Sequence, residues 1–373
     1  MWRSLFFSTV VFFLFGNFVF AQTLHQDVQE RLSAEVLEVV SEKEREITGT
    51  NATAKVQDVR VVIKEGDRAG EVVRFEVELV ELKKGDNIHI YRIETITGRE
   101  EFSYADYERR STLIFVSIVF VLLLLLLTKW QGVRALLSLV GSVAAIVFLL
   151  IPALLAGYDP VLSSIGIAGA VLAMVLFVTH GVTARSVIAF AGTFLAVSIT
   201  GLVALISASS MKLSGFSSDA SVYLNFATNG SLDLSGLLLG SIIIGILGVL
   251  DDVSITQASV VQELKFANKG LGAKELYLRA IKVGRDHIGS LVNTLALAYV
   301  GVSLPLILLY AKADSSVWLT LNQEVVAAEI LRIVVGSIGL VLAVPFTTAV
   351  AAWYWDNREV KEETDFNHCG HHH

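Results

Sequence analysis

Seven long apolar runs decide most of what this chain can become. After Arg109-Arg110, residues 111–128, 134–155, 161–179, 185–207, 235–264, 289–311 and 329–353 are each apolar enough and long enough to cross a bilayer as a helix. Only 17% of the 373 residues are charged and the mean hydropathy is +0.63, whereas a soluble domain has roughly a quarter charged residues. The expected fold class is an α-helical polytopic membrane protein, with about seven transmembrane helices after an N-terminal signal or anchor and one small all-β domain. The net charge, 29 − 36 = −7, leaves no basic footprint for nucleic acid. The one cysteine, Cys369, excludes an internal disulfide scaffold.

Residues 1–21 have the layout of an export signal. A positive head at Met1 to Arg3 precedes apolar Ser4 to Phe20, and Val19-Phe20-Ala21 carries small residues where a signal peptidase inspects the chain. The same run, retained, serves as a signal anchor, and both readings export residues 22–110. That region alternates in Arg74-Phe75-Glu76-Val77-Glu78-Leu79 with the strand period of two. Strands are expected at Ala34 to Val40, Ala54 to Lys64, Val72 to Lys83 and Ile88 to Thr97, in a small extracytoplasmic β domain of the OB type. Lys129, Arg134, Arg185 and the cationic 265–285 connection fall on one side of the membrane, which the short-loop charge rule makes cytoplasmic. The protein is thus expected in the bacterial cytoplasmic (inner) membrane, with 111–355 as its helical domain and 356–373 as a cytoplasmic tail. The Ser, Asn and Gly-rich connection 208–234 reads as a solvated outer loop or part of an entrance. The 265–285 segment, with Leu271, Leu276, Leu278 and Ile281 among its cations, is expected to lie on the inner leaflet.

Within 235–264 stand two adjacent carboxylates, Asp251 and Asp252, near the middle of a helix. One intramembrane carboxylate costs on the order of 3 kcal/mol, so such residues are functional by default. Asp252, Thr256, Ser259 and Glu263 recur at helical spacing and form a polar stripe that must face protein or water. On the next helix Asp286, Ser290 and Asn293 follow i, i+4, i+7, with Thr294 beside them and Arg285 and His287 at the start. The two stripes suggest a hydrated seam for H⁺, Na⁺ or a divalent cation, held by Asp251, Asp252, Thr256, Asp286 and Asn293. Ser254, Ser259, Ser290, Thr294 and His287 are secondary candidates. The plainer alternative pairs the acids with Arg185, Arg285 or Arg332 to hold helices together. His180 reads as a hydrogen-bonded boundary residue, and Arg332 as a residue that snorkels from an outer helix end.

The runs GVLDDVSITQASVVQEL (248–264) and GRDHIGSLVNTLALAYVGVSLPLILL (284–309) resemble the YibE/F family of bacterial membrane proteins, and the likeness extends over about 110–355. More distantly, an Asp pair in an inward-running helix is similar to one half of the resistance-nodulation-division exporters and the SecD/SecF motors. That likeness implies a proton relay on Asp251 and Asp252. The sequence departs from those proteins in the glycine spacing before the pair, in Ala258 where an acid is usual, and in two additional helices.

No phosphate-binding loop, metalloprotease motif or nucleophile elbow is present, and a dyad of Asp252 with Asp286 would place one acid at a helix entrance, so no enzyme activity and no cofactor are expected. His368, Cys369 and His371 near the C-terminus are suited to Zn²⁺, Ni²⁺ or copper, or are a remnant of a purification tag. Gly236 with Gly240, and Gly336 with Gly339, are spaced for close helix packing in a homo-oligomer. The expected function is a secondary transporter or ion-driven motor in the lipid bilayer. The alternative is a non-transporting envelope assembly or sensor protein whose β domain binds a partner.

Overall fold

The structure, a computed structural model, describes residues 28–46, 53–94, 100–312 and 316–358. The signal segment and the tail residues His368, Cys369 and His371 lie outside the described residues. Two compact units divide between Leu122 and Leu123.

The first unit contains five antiparallel strands, β1 (Val28–Glu46), β2 (Thr53–Ile63), β3 (Val72–Glu78), β4 (Asn87–Glu94) and β5 (Glu100–Tyr107), in the order β3-β2-β1-β4-β5. Its alternating pattern buries every second side chain of β3, including Val73, Phe75 and Val77, as the period of two requires. β1 pairs with β4 through Val28 to Glu35 and with β2 from Ala34 onward, and register shifts at Val36/Glu38 and Val39/Ser41 bend it between the two partners. The edge strands β3 and β5 approach each other. β3 ends at Glu78, short of the expected Lys83, because Leu79 takes a left-handed backbone (φ 66°) that a ladder cannot continue. The loop beyond is fastened by buried Gln57, whose Nε2 donates to Glu42 Oε1 (2.7 Å) and Leu82 O (3.3 Å) while its Oε1 accepts from Leu82 N (2.7 Å). On the surface Arg68 and Arg92 both donate to Glu100, at 2.6 and 2.5 Å to Oε1, and hold its carboxyl at about 2.

After β5 run α1 (Arg110–Thr128), α2 (Trp130–Leu155), α3 (Pro160–His180), α4 (Ala184–Ser210), the short α5 (Asp219–Ala227) and α6 (Leu234–Ala267). They are followed by α7 (Ala273–Val302), α8 (Leu304–Lys312), the five-residue α9 (Val317–Leu321) and α10 (Glu324–Asp356). Six are long and apolar enough to span a membrane, and α7 with α8 makes a seventh if the bent pair is one span. α4, α6 and α10 form the packed centre and carry the most buried side chains, whereas α1 has none.

Small residues bring these helices together. A Cβ on Gly240 would lie 2.2 Å from Ser164 Oγ, and one on Gly339 would lie 3.0 Å from Thr200 Oγ1. Gly236 faces Asp233 and Pro160, and Gly336 faces Leu295 and Ile246. The expectation that these four glycines serve an oligomer is therefore corrected: their open faces are filled from within the chain.

The cationic connection is a second correction. Instead of a separate interfacial helix over 265–285, the chain breaks only at 268–272, and α7 then runs unbroken from Ala273 past Asp286. Its early apolar residues are divided, with Leu276 and Ala280 wholly enclosed in the helical unit and Leu278 and Val283 exposed. The span expected at 289–311 bends by 62° at Ser303. Pro305 follows directly; it lacks an N–H for the helical ladder and disfavours helical geometry in Leu304. In the 208–234 connection, α5 begins with a Ser218/Ser221 capping box, and Glu324 accepts from the backbone N–H groups of Ser214 (2.9 Å) and Gly215 (2.8 Å).

Candidate functional site

α6 starts at an Asp233 cap whose carboxylate accepts from Gly236 N at 3.0 Å, and it continues for 34 residues. Asp251 and Asp252 sit halfway along, about 25 Å from either end at the helical rise. Adjacent helical residues point about 100° apart, so the two carboxylates cannot share a face. Asp251 lines a cavity between α2, α3 and α6. Asp252 is exposed on the adjoining face, within electrostatic reach of His180 at the end of α3. The only hydrogen bond between them runs from the Asp252 backbone N–H to Asp251 Oδ1, at 2.9 Å. Among the described residues neither acid forms an ion pair. Arg332, one of the arginines considered as their partner, pairs with Glu329 on its own helix and lies 5.9 Å above the Tyr299 ring.

The cavity has a volume of about 360 Å³. Apolar side chains, among them Ile146, Ile167, Val171, Val175 and Leu247, form most of its wall, and Asp251, Ser138 and Ser142 are its polar groups. Ser138 Oγ donates to Ala135 O (2.9 Å) and accepts from Thr179 Oγ1 (3.2 Å), while Ser142 Oγ donates to Ser138 O (2.7 Å). The α2 wall passes into a π-helical turn at Ile146–Leu150, a distortion frequent at functional sites. Ser138 and Ser142 escaped the sequence reading; the signal for them is an i, i+4 serine pair inside an otherwise apolar span.

The expected stripe on α6 is on one face: Asp252, Thr256 and Glu263 are exposed and Ser259 is half-buried. It extends through exposed Gly248, Gly245 and Ser241, with Gly245 close to Tyr299 of α7. Asp286, His287, Ser290, Asn293 and Thr294 of α7 are exposed as well. Ser254 belongs to the opposite, fully buried side, near Gln257. There Gln257 Nε2 donates to Ala280 O (3.0 Å) and Thr348 Oγ1 (2.8 Å), joining α6, α7 and α10. A Cβ on Gly284 would lie 2.4 Å from Val344 Cγ1, so this contact fixes the start of α7 on α10. The candidates thus separate into Asp251 in a cavity, an exposed polar surface on α6 and α7, and a buried polar clasp. Among the described residues no cluster of three His, Cys, Asp or Glu side chains is placed to hold a metal ion.

The family model described as YibE/F-like protein matches residues 116–357, nearly two thirds of the chain. The chain belongs to the YibE/F-like family. The matched region of this YibE/F-like protein takes in the cavity, both acids and the buried clasp, and leaves the five strands outside it. No curated protein and no solved structure matches the chain.

Proposed function

We propose that this multi-pass membrane protein is an ion-coupled carrier in which Asp251 is the proton or cation site. The observation that carries the reading is a carboxylate without an ion pair among the described residues, midway along a spanning helix and lining a cavity of about 360 Å³. An acid in such a place is costly unless it works. One carboxylate with two serine hydroxyls suits H⁺ or Na⁺ better than a divalent ion, which takes six or more oxygens. Asp252, on the exposed stripe with Thr256 and Glu263, would pass the ion between the cavity and the His180 end of α3. The distant likeness to proton-driven exporters agrees with this division, and the short-loop cations support a bacterial inner-membrane orientation with the β unit extracytoplasmic. The exposed polar stripes at membrane depth favour a second copy of the chain, or water, as their cover.

The test is ion flux into liposomes under imposed H⁺ and Na⁺ gradients, comparing the native chain with Asp251→Asn and Asp252→Asn. Loss of flux in the first and slowing in the second are expected. Native flux in both would sink the reading.

A second reading, envelope assembly or sensing through the β unit, is favoured by Leu79, which leaves 77% of its surface exposed while holding a left-handed backbone. The strand order, with β3 and β5 approaching, supports an OB-like contact module. A photo-crosslinker at position 79 that captures one defined partner in cells, in a chain without ion flux, would favour it.

A further inference from the structure

We infer that the cavity between α2, α3 and α6 binds an amphiphilic amine, its ammonium donating to Asp251 and its apolar body lying against α2 and α3. The inference rests on the reading of Asp251 as the working carboxylate and names what shares the site with the ion.

The cavity wall is rich in acceptors and poor in donors. Ser138 and Ser142 spend their hydroxyl protons on the carbonyls of Ala135 and Ser138. Ionised Asp251 offers only oxygen lone pairs, one of them already taken by the Asp252 N–H. Every polar side chain of the lining therefore presents an acceptor, and no basic residue lines the cavity. An anion or a ligand made of acceptors would meet no donor there. A cation that brings N–H groups supplies the donor that Asp251 lacks there. The rest of the wall, including Ile146, Ile167, Val171 and Val175, gives hydrocarbon no cause to leave. A bare metal ion would leave most of a cavity of this size unfilled, and about 300–1,000 Å³ is the usual range for a small organic ligand. In such a wall a charge-assisted N–H···O bond is stronger than in water, and an ammonium is selected over its neutral isostere.

The test uses three probes with one apolar body, 4-phenylbutylamine, 4-phenylbutan-1-ol and 4-phenylbutyl-trimethylammonium, in equilibrium binding to the full chain in nanodiscs. Empty nanodiscs correct for partition into lipid. The amine is expected to bind at least tenfold more tightly than the alcohol, and the trimethylammonium, which has no N–H, less tightly than the amine. In Asp251→Asn the amine and the alcohol should become equal, whereas Asp252→Asn should retain the preference. Should Asp251→Asn fail to fold, Val175→Phe narrows the cavity with the carboxylate in place and should weaken amine binding by a similar factor. Equal binding of all three probes to the native chain, or an amine preference that survives both Asp251→Asn and Val175→Phe, would overturn the inference. Ion flux measured on the same variants keeps the two ideas apart. Flux that depends on Asp251 without amine preference removes the amine alone, and amine preference without flux removes the carrier alone.

Discussion

Thr347 of α10 packs onto Gly192 of α4 so closely that a Cβ on the glycine would lie 2.6 Å from the Thr347 Cα and 2.3 Å from its Oγ1. The obstacle is backbone, which cannot rotate away. Gly192→Ala should therefore separate α4 from α10 and cost about 1–3 kcal/mol, the usual range for overpacking. Gly289→Ala, where nothing lies within 4 Å of the added methyl, should be neutral or stabilising. Denaturant titration of the full chain in mixed micelles, followed by tryptophan fluorescence, measures both.

The Gln257 clasp predicts a graded pair of losses. Gln257→Leu removes two bonds and leaves the Ala280 carbonyl with one acceptor site unmet, at a cost of about 1–3 kcal/mol. Thr348→Val also removes two bonds, one from Gln257 and the local one to Val344 O, but it keeps the side-chain shape and leaves the Gln257 bond to Ala280 O in place, so it should cost less. The same titration ranks them, and stabilities equal to that of the native chain in both variants would show that the clasp is not formed.

Exposure separates the two sides of α6. After Cys369→Ser, single substitutions Asp252→Cys, Thr256→Cys and Asn293→Cys should react readily with a hydrophilic maleimide, because these positions are exposed on the helical unit. Ser254→Cys and Gln257→Cys, fully enclosed between helices, should not. Protection of Asp252→Cys and Asn293→Cys that is lost on dilution into separate micelles would point to a second copy covering the stripe.

Glu100 gives the β unit an acid limit. Its carboxyl is held at about 2 by Arg68 and Arg92, against 4.5 for the free group. A depressed carboxylate stabilises the fold above the unfolded value, so this contribution is fully present above about pH 5. It is lost as the pH falls from there toward 2. Hydrogen exchange of the β4 and β5 amides in the full chain should be unchanged between pH 5 and 8, after correction for intrinsic rates, and should lose protection below pH 4. Glu100→Gln should abolish that acid step.

Chain order and hydropathy carry a great deal of this protein. The number and position of the spans, the β strands ahead of them and an acid pair at mid-helix all follow from local rules. Twenty apolar residues have one economical solution in lipid, and alternation has one in a sheet. The polar stripe through Asp252, Thr256 and Glu263 was legible for the same reason, since helical spacing states which residues share a face. Spacing does not state what that face meets. Only packing turned Asp251 toward α2 and α3 and left Asp252 outside, and only packing brought Ser138 and Ser142 to a carboxylate more than a hundred residues away. The glycines at 236, 240, 336 and 339 show the same division. Their small size was visible, but close approach pays only against a chosen neighbour, and that choice belongs to the assembled helices.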